Sequence, residues 1–365
     1  MRNLNDENLL VKKIKYLRDK SIDKVRKKSI PPLDSPVSFW IKEDRLLNGK
    51  GKELAIVLRT KGCTWALSEK GGCSMCGYIN DSYLQNINHE HIFNQFEFAL
   101  QSKLEQINLD QDDYILKIFN SGSFFDDNEI SEQIREKIYK RVANIDKIKE
   151  IVVESRPEYI SKVKLESMQN IIKNKYIEIA IGLETVNDYI RNQYINKGLL
   201  YKDFLKVIQI CRELKFGIRV YLLFKPPFLN EHAAIDDCLN SIEKLIDLKV
   251  NTISINPTNI QKDTLVELLW LQNRYRPPWF YSLFKCLIKA NKQIKGIRTA
   301  RIISDPSGAG TKRGIHNCLK RDCNEKMIVG LKNYVLSQDI THIREIKDYL
   351  KCDCKILYHL QKKYH

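Results

Sequence analysis

Six apolar runs, each followed by a stretch patterned for a helix, constrain this chain more than any other feature. The runs are ELAIVLR (53–59), DYILKIF (113–119), IKEIVVE (148–154), YIEIAIGL (176–183), FGIRVYLLF (216–224) and VNTISIN (250–256). Helix-patterned stretches follow near 89–106, 128–142, 158–171, 201–215, 231–247 and 263–271. Repeated strand–helix units spell a parallel sheet. The strands are apolar almost throughout, as strands covered by helices or chain on both faces must be. No glycine-rich dinucleotide fingerprint follows the first run, which argues against an open nucleotide-binding sheet. The expected fold is α/β, a partial (β/α)6 TIM-like barrel, in which ligands collect at the carboxyl ends of the strands.

The flanks read differently. Residues 4–28 pattern as a charged amphipathic helix with Leu9, Leu10, Ile14, Leu17 and Ile22 on one face, and Pro31, Pro32 and Pro36 end it. Past about residue 298 the alternation stops, although IRTARIIS can supply one more strand. The expected organisation is a helical N-terminal extension (1–45), the barrel (46–297) and a small cysteine-rich C-terminal subdomain (298–365).

Composition limits the function classes. Hydrophobic residues make up 43% of 365, enough for a full core. No apolar run approaches the ~20 residues of a membrane span. The N-terminal stretch lacks the pattern of a secretory leader, and ten cysteines without one suggest a reducing, cytoplasmic compartment where clustered thiols hold metal. Cys211, Cys238 and Cys286 lie singly in helical patterns and are expected as core. A net charge of +16 favours a phosphate-rich partner, RNA first. A chain rich in Lys, Ile and Asn can also acquire that charge from genome composition.

Three cysteines, Cys63, Cys73 and Cys76, follow the first strand in LRTKGCTWALSEKGGCSMCGY. A closed structural zinc site needs four protein ligands. Three thiolates suit a four-iron, four-sulfur cluster whose last iron is left for another ligand. In a cytosolic chain that ligand is most often S-adenosylmethionine, bound through its amino and carboxylate groups. A zinc knuckle completed by a distant side chain is the other arrangement these thiols allow. Glycines 62, 71, 72 and 77 let the loop wrap closely round a bulky group.

This arrangement resembles the radical S-adenosylmethionine superfamily, whose cysteines sit after the first barrel strand. The superfamily's usual spacing is three residues, then two; here it is nine, then two, as in the elongator catalytic subunit and its relatives. The fuller string, with FNSGSFFD, VESRP, GLET, YRPPWFYS and HNC…C…CDC, is similar to the beta-subunit family of archaeosine synthesis over roughly residues 40–360. That resemblance implies a radical S-adenosylmethionine barrel in which one electron from the cluster cleaves the sulfonium and leaves a 5′-deoxyadenosyl radical. It implies tRNA as partner, with a lysine adduct of 7-cyano-7-deazaguanine as the reacting base. Hydrogen abstraction beside the attached nitrogen and cleavage of that C–N bond would give archaeosine. It further implies a lysine-adding alpha subunit and an electron donor. Another radical enzyme of tRNA modification, or a zinc-dependent RNA-binding protein without catalysis, remain alternatives.

Other residues carry expectations within that frame. Asn120, Ser121, Gly122 and Ser123 end the second strand, where the superfamily has a Gly-Gly-Glu-type motif for the methionyl amino group; no Glu stands at that place. Glu154, Ser155, Arg156 and Glu184 end the third and fourth strands, suited either to ribose hydroxyls and the ligand carboxylate or to a Glu–Arg pair that merely closes the barrel mouth. Lys225 ends the fifth, facing ligand or RNA phosphate. Cys318, Cys323, Cys352 and Cys354 offer four thiolates, sufficient for zinc, with His316 a possible substitute; a second cluster or unligated thiols are the alternatives. Tyr275–Tyr281 mixes rings with Arg276, as either a base-stacking surface or an aromatic lid.

Overall fold

Strands and helices alternate in space as they do along the chain. A computed structural model of the protein describes residues 4–85, 87–293, 300–349 and 352–364. The order is α1 (Leu4–Arg26), β1 (Ser38–Leu46), β2 (Gly49–Val57), α2 (Thr64–Leu67), α3 (His89–Leu109), β3 (Tyr114–Phe119), α4 (Glu132–Ala143) and β4 (Ile148–Glu154). Then come α5 (Lys162–Ile171), β5 (Tyr176–Glu184), α6 (Tyr201–Glu213), β6 (Gly217–Phe224), α7 (Glu231–Asp247), β7 (Thr252–Pro257) and α8 (Leu265–Leu271). The remainder is α9 (Phe280–Gln293), β8 (Arg301–Ile303), α10 (Arg321–Ser337), α11 (Thr341–Tyr349) and α12 (Cys354–Gln361).

All eight strands form one sheet in sequence order, β1 to β8. β1 and β2 pair antiparallel; every later pair is parallel. Because each strand lies beside its sequence neighbour, the sheet curls one way into a half-barrel with helices outside. The six expected strand–helix units are β2 to β7, and Arg301–Ile303 supplies the further strand.

One expectation needs correction. Ser38–Leu46, assigned to a helical extension, is an edge strand that continues the sheet through a hairpin with the register Leu46↔Gly49. Its sequence, SFWIKEDRL, hides the strand because its polar residues have work inside the barrel: Asp44 is buried against Lys117 at 2.7 Å. The helical part of that extension is α1. The boundary between 297 and 298 lies outside the described residues.

The two faces of the sheet differ in chemistry. Outward residues such as Leu116, Ile118, Val153, Ile179, Val220 and Ile255 join helix residues such as Phe96, Ile134, Phe204 and Leu245 in one apolar core. Burying each such side chain contributes about 1.5–3 kcal/mol. α6 and α7 leave this core alike: Lys215 and Lys249 take left-handed conformations, and Phe216 and Val250 donate N–H back to Cys211 and Leu245.

The inward face interleaves a small apolar patch of Leu46, Ile115, Val152 and Ala180 with charged groups, Ile115 pairing in register with Glu53 and Glu150, and Val152 with Lys117 and Glu178. Glu178 accepts from Arg219 (2.8 Å), Arg301 (2.8 Å) and Thr252 (2.6 Å); Arg301 also reaches Glu150 (3.1 Å). Lys117 sits between Glu53 and Asp44. These groups pair with one another, as buried charges must, although Arg219 Nη2 keeps no hydrogen-bond partner among the described residues, and they floor the barrel opposite its mouth. Among the described residues no helix is long and apolar enough to cross a membrane.

Candidate metal centres

The chain leaves β2 at the barrel mouth and enters the loop that carries Cys63, Cys73 and Cys76. Cys63 precedes the single turn of α2, whose Leu67 N–H donates to the Cys63 carbonyl. Gly71 and Gly72 have φ of 70° and 79°. A Cβ on Gly72 would meet the Ala66 backbone at 2.8 Å, so the loop folds tightly on itself. Neighbouring segments fasten it. Asn196 donates to the carbonyls of Lys70 and Gly72 (both 2.8 Å), Ser74 bonds the 194–195 backbone, and the Gly77 N–H donates to Gln261.

Burial pushes all three thiols above their ordinary range, and each adds to the shift of another. Arg156 and Lys197 oppose it at Cys73. A metal group that binds here releases protons, since the ligand is the thiolate.

Of the residues expected at the strand ends, Gly122 lies directly against this loop, and a further acid stands behind it. Glu129, which the sequence reading missed, accepts from Thr60 (2.6 Å), Asn120 (2.8 Å) and the Ser123 N–H (2.8 Å). Burial pushes its carboxyl up to about 7. Gly122 lies so close that a Cβ would meet the Cys63 Cα at 2.7 Å and the Glu129 carboxylate at 1.9 Å. Thus the loop 120–123 has a buried carboxyl behind it, supplied six residues downstream. Glu129 lies in FFDDNEI, where neighbouring acids leave nothing in the sequence to single it out.

Glu154 and Glu184 face a common space. Burial pushes the Glu154 carboxyl up to about 7, Lys197 pulls it down and Glu184 raises it further. Glu184 has a left-handed backbone (φ 67°) and pairs with Lys197 at 2.8 Å. Lys197 comes from the irregular stretch after β5 and offered no periodic signal. Among the described residues, Asn120 Oδ1 and Ser155 Oγ are buried without hydrogen-bond partners. Such atoms are costly unless a ligand completes them.

Two basic residues at the strand ends take protein partners, Arg156 as in the Glu–Arg alternative. The Arg156 fork, expected to grip a carboxylate, donates to Glu158 (2.5 Å) and to the carbonyls of Lys197 (3.0 Å) and Gly198 (3.2 Å), with Trp65 against its face. Lys225 is 1% exposed and pairs with Glu231 (2.7 Å) and the Arg276 carbonyl (2.9 Å), so it faces neither ligand nor RNA phosphate. A buried ammonium takes protein partners when they are in reach. Tyr275, Trp279, Phe280 and Tyr281 are likewise buried, and Arg276 stacks on Trp279 at 3.6 Å. This segment is an aromatic lid packed on the fold.

The second set of thiols converges more tightly. Among the described residues, the sulfurs of Cys318, Cys323, Cys352 and Cys354 all lie within 4.8 Å of one another. The pairs 318–352 and 323–354 are 3.9 and 3.7 Å apart. A tetrahedron of sulfurs about 2.3 Å from zinc has edges of about 3.8 Å. The Tyr281 hydroxyl meets the Cys354 sulfur at 3.4 Å, and a backbone N–H of Cys354 lowers Cys352. His316 is not in this set: its ring nitrogen meets the Gly314 carbonyl at 2.8 Å.

No family model matches the sequence. The chain is 35% identical over 328 residues to the archaeosine synthase subunit beta of Methanosarcina acetivorans, covering 90% of each chain. It is 37% identical over 311 residues to the archaeosine synthase subunit beta of Thermococcus kodakarensis, covering 85% of this chain and 93% of that one. Among solved structures, the archaeal Methanocaldococcus infernus Elp3 with an N-terminal deletion matches with a TM-score of 0.50 at 15% identity, over 67% of this chain and 59% of that one, a likeness of fold.

Proposed function

The chain belongs to the archaeosine synthase subunit beta family, and from that premise we propose that it is a radical S-adenosylmethionine enzyme of tRNA modification. The carrying observation is the loop of three cysteines at the mouth of a half-barrel, beside buried polar atoms that lack partners. Cys63, Cys73 and Cys76 would hold a four-iron, four-sulfur cluster. Asn120, Ser121, Gly122, Ser123, Ser155, Glu154 and Glu184 would line the space for S-adenosylmethionine. When bound, the cluster supplies the electron that cleaves the sulfonium and frees the hydrogen-abstracting 5′-deoxyadenosyl radical.

This chain's residues do the rest by holding. The close approach of Gly122 to Cys63 brings the 120–123 backbone against the cluster loop. Asn120 Oδ1 and Ser155 Oγ can each accept a proton donor of the ligand. The Glu184–Lys197 pair and Glu154 offer carboxylates to hydroxyls or an ammonium.

The substrate reading follows the relatives' names and the resemblance: a lysine adduct of 7-cyano-7-deazaguanine in tRNA. Hydrogen abstraction from the lysine carbon beside the attached nitrogen, then C–N cleavage, leaves the formamidine of archaeosine. A lysine-adding alpha subunit and an electron donor are the natural partners, and the +16 charge suits tRNA. Cys318, Cys323, Cys352 and Cys354 would hold a structural zinc ion, an assignment supported by their sulfur spacing. The test is to incubate reconstituted, reduced protein with S-adenosylmethionine and tRNA carrying the adduct, then weigh the nucleoside by mass spectrometry. Archaeosine supports the proposal; an unchanged adduct beside active cleavage of S-adenosylmethionine refutes this substrate.

A further inference from the structure

α1 packs across the cysteine loop rather than projecting from the fold. Its apolar stripe of Leu10, Ile14 and Leu17 joins Met75, which lies between Cys73 and Cys76, and Ile260, Val266 and Leu269 in a separate apolar cluster. The approach is backbone to backbone: a Cβ on Gly71 would meet the Lys15 Cα at 2.7 Å. Farther along, Ser21 donates to Asn80 (3.0 Å), Lys28 to the Asn80 carbonyl (2.8 Å), and Lys24 pairs with Asp263.

One residue breaks the stripe. Arg18 stands four residues after Ile14, where the pattern wants an apolar side chain, and it is 3% exposed. Its Nε donates to the Gly71 carbonyl (2.9 Å), and its Nη2 to the carbonyls of Cys76 (2.6 Å) and Cys73 (3.4 Å). Its Nη1 is buried without a partner. No acidic side chain pairs with it among the described residues. A buried guanidinium without a counter-charge is costly. A cube ligated by three thiolates is net negative, and such a group beside Cys73 and Cys76 supplies the missing charge.

We propose that α1 is a strap over the cluster loop, and that Arg18 is its positioning residue, fixing the backbone of two ligand cysteines and setting the cluster's reduction potential through its charge. The inference rests on the cluster reading of Cys63, Cys73 and Cys76. It assigns α1 a task inside the reaction centre and makes the N-terminal helix inseparable from the metal. The fork and the charge are separable functions, because Lys keeps the charge and loses the fork, whereas Gln loses both.

The experiment compares full-length wild type, Arg18→Lys and Arg18→Gln after anaerobic reconstitution. It reads iron per chain, iron loss to a chelator, and midpoint potential by redox titration followed by electron paramagnetic resonance. Both variants should lose iron more readily, by about 10–100-fold in apparent affinity. Arg18→Gln should shift the midpoint to lower potential, because removing a positive charge favours the less negative, oxidised cluster; Arg18→Lys should keep the wild-type midpoint. Lys24→Ala, at the exposed end of the strap, should leave the potential unchanged. Loaded variants with wild-type iron retention and potential overturn the strap alone. A wild-type chain that takes up no iron overturns the cluster reading and this inference with it.

Discussion

Replacing Glu178 by Gln tests whether the charged layer under the barrel mouth is a structural floor. Glu178 is fully buried and holds Arg219 and Arg301 at 2.8 Å each, with Thr252 at 2.6 Å. Gln keeps the shape and one acceptor but removes a charge shared by both guanidinium groups. Breaking a buried pair in this way costs about 3–5 kcal/mol. At about 2.1 cal/mol/K per residue, unfolding 365 residues carries roughly 0.77 kcal/mol/K, so the melting point should fall by about 4–6.5 °C. Calorimetry at neutral pH reads this, with Glu136→Gln, whose partner Lys140 is exposed, as a control expected to change stability by less than about 0.5 kcal/mol. The sign with pH is fixed as well. Burial pushes the Glu178 carboxyl up, but Arg219 and Arg301 outweigh it and hold it below its ordinary value. Its stabilisation is therefore present above the unfolded value of about 4.3 and is lost as pH falls through the folded one. The gap between wild type and variant should be full at neutral pH and close in acid. A shift under about 1 °C, or a gap that widens in acid, refutes the reasoning.

Gly71→Ala forces a Cβ against Lys15 at a left-handed backbone position; it should cost about 1–3 kcal/mol and speed iron release to a chelator. Glu129 is held with its pKa up to about 7, so its favourable contribution is present below about 4.3 and fades as pH rises through about 7. Glu129→Gln should flatten that decline by about 3 kcal/mol in denaturant titrations across this range. Cys318→Ser should abolish zinc retention, measured by elemental analysis, while iron content stays at the wild-type value; normal zinc would contradict the four-thiolate assignment.

The sheet was legible because strands buried on both faces leave uninterrupted apolar runs, and β2 to β7 do so. β1 was not, because its inward side carries Asp44 for Lys117 and reads as an ordinary polar alternation. The charges of the floor, Lys117, Glu150, Glu178 and Arg219, stood in plain view inside apolar runs. Their pairing was not visible, since Arg301 reaches Glu178 across 123 residues. At the mouth, Cys63, Cys73 and Cys76 stand out in the sequence by their spacing, but the directions of the strand-end side chains do not. Lys225 has a left-handed backbone (φ 62°), so strand alternation no longer fixes where its side chain goes, and it turns to Glu231. Glu129 and Lys197 reach the site from irregular segments, where no period marks them. Arg18 carried a signal that went unused, a base on the apolar stripe of an amphipathic helix.

The most direct test of the account is the fate of S-adenosylmethionine on the reconstituted, reduced protein without tRNA. Chromatography with mass detection should find 5′-deoxyadenosine and methionine from the wild type, and neither from Cys73→Ala, whose iron content should fall. A chain that binds iron at Cys63, Cys73 and Cys76 yet leaves the sulfonium intact under strong reduction would contradict it.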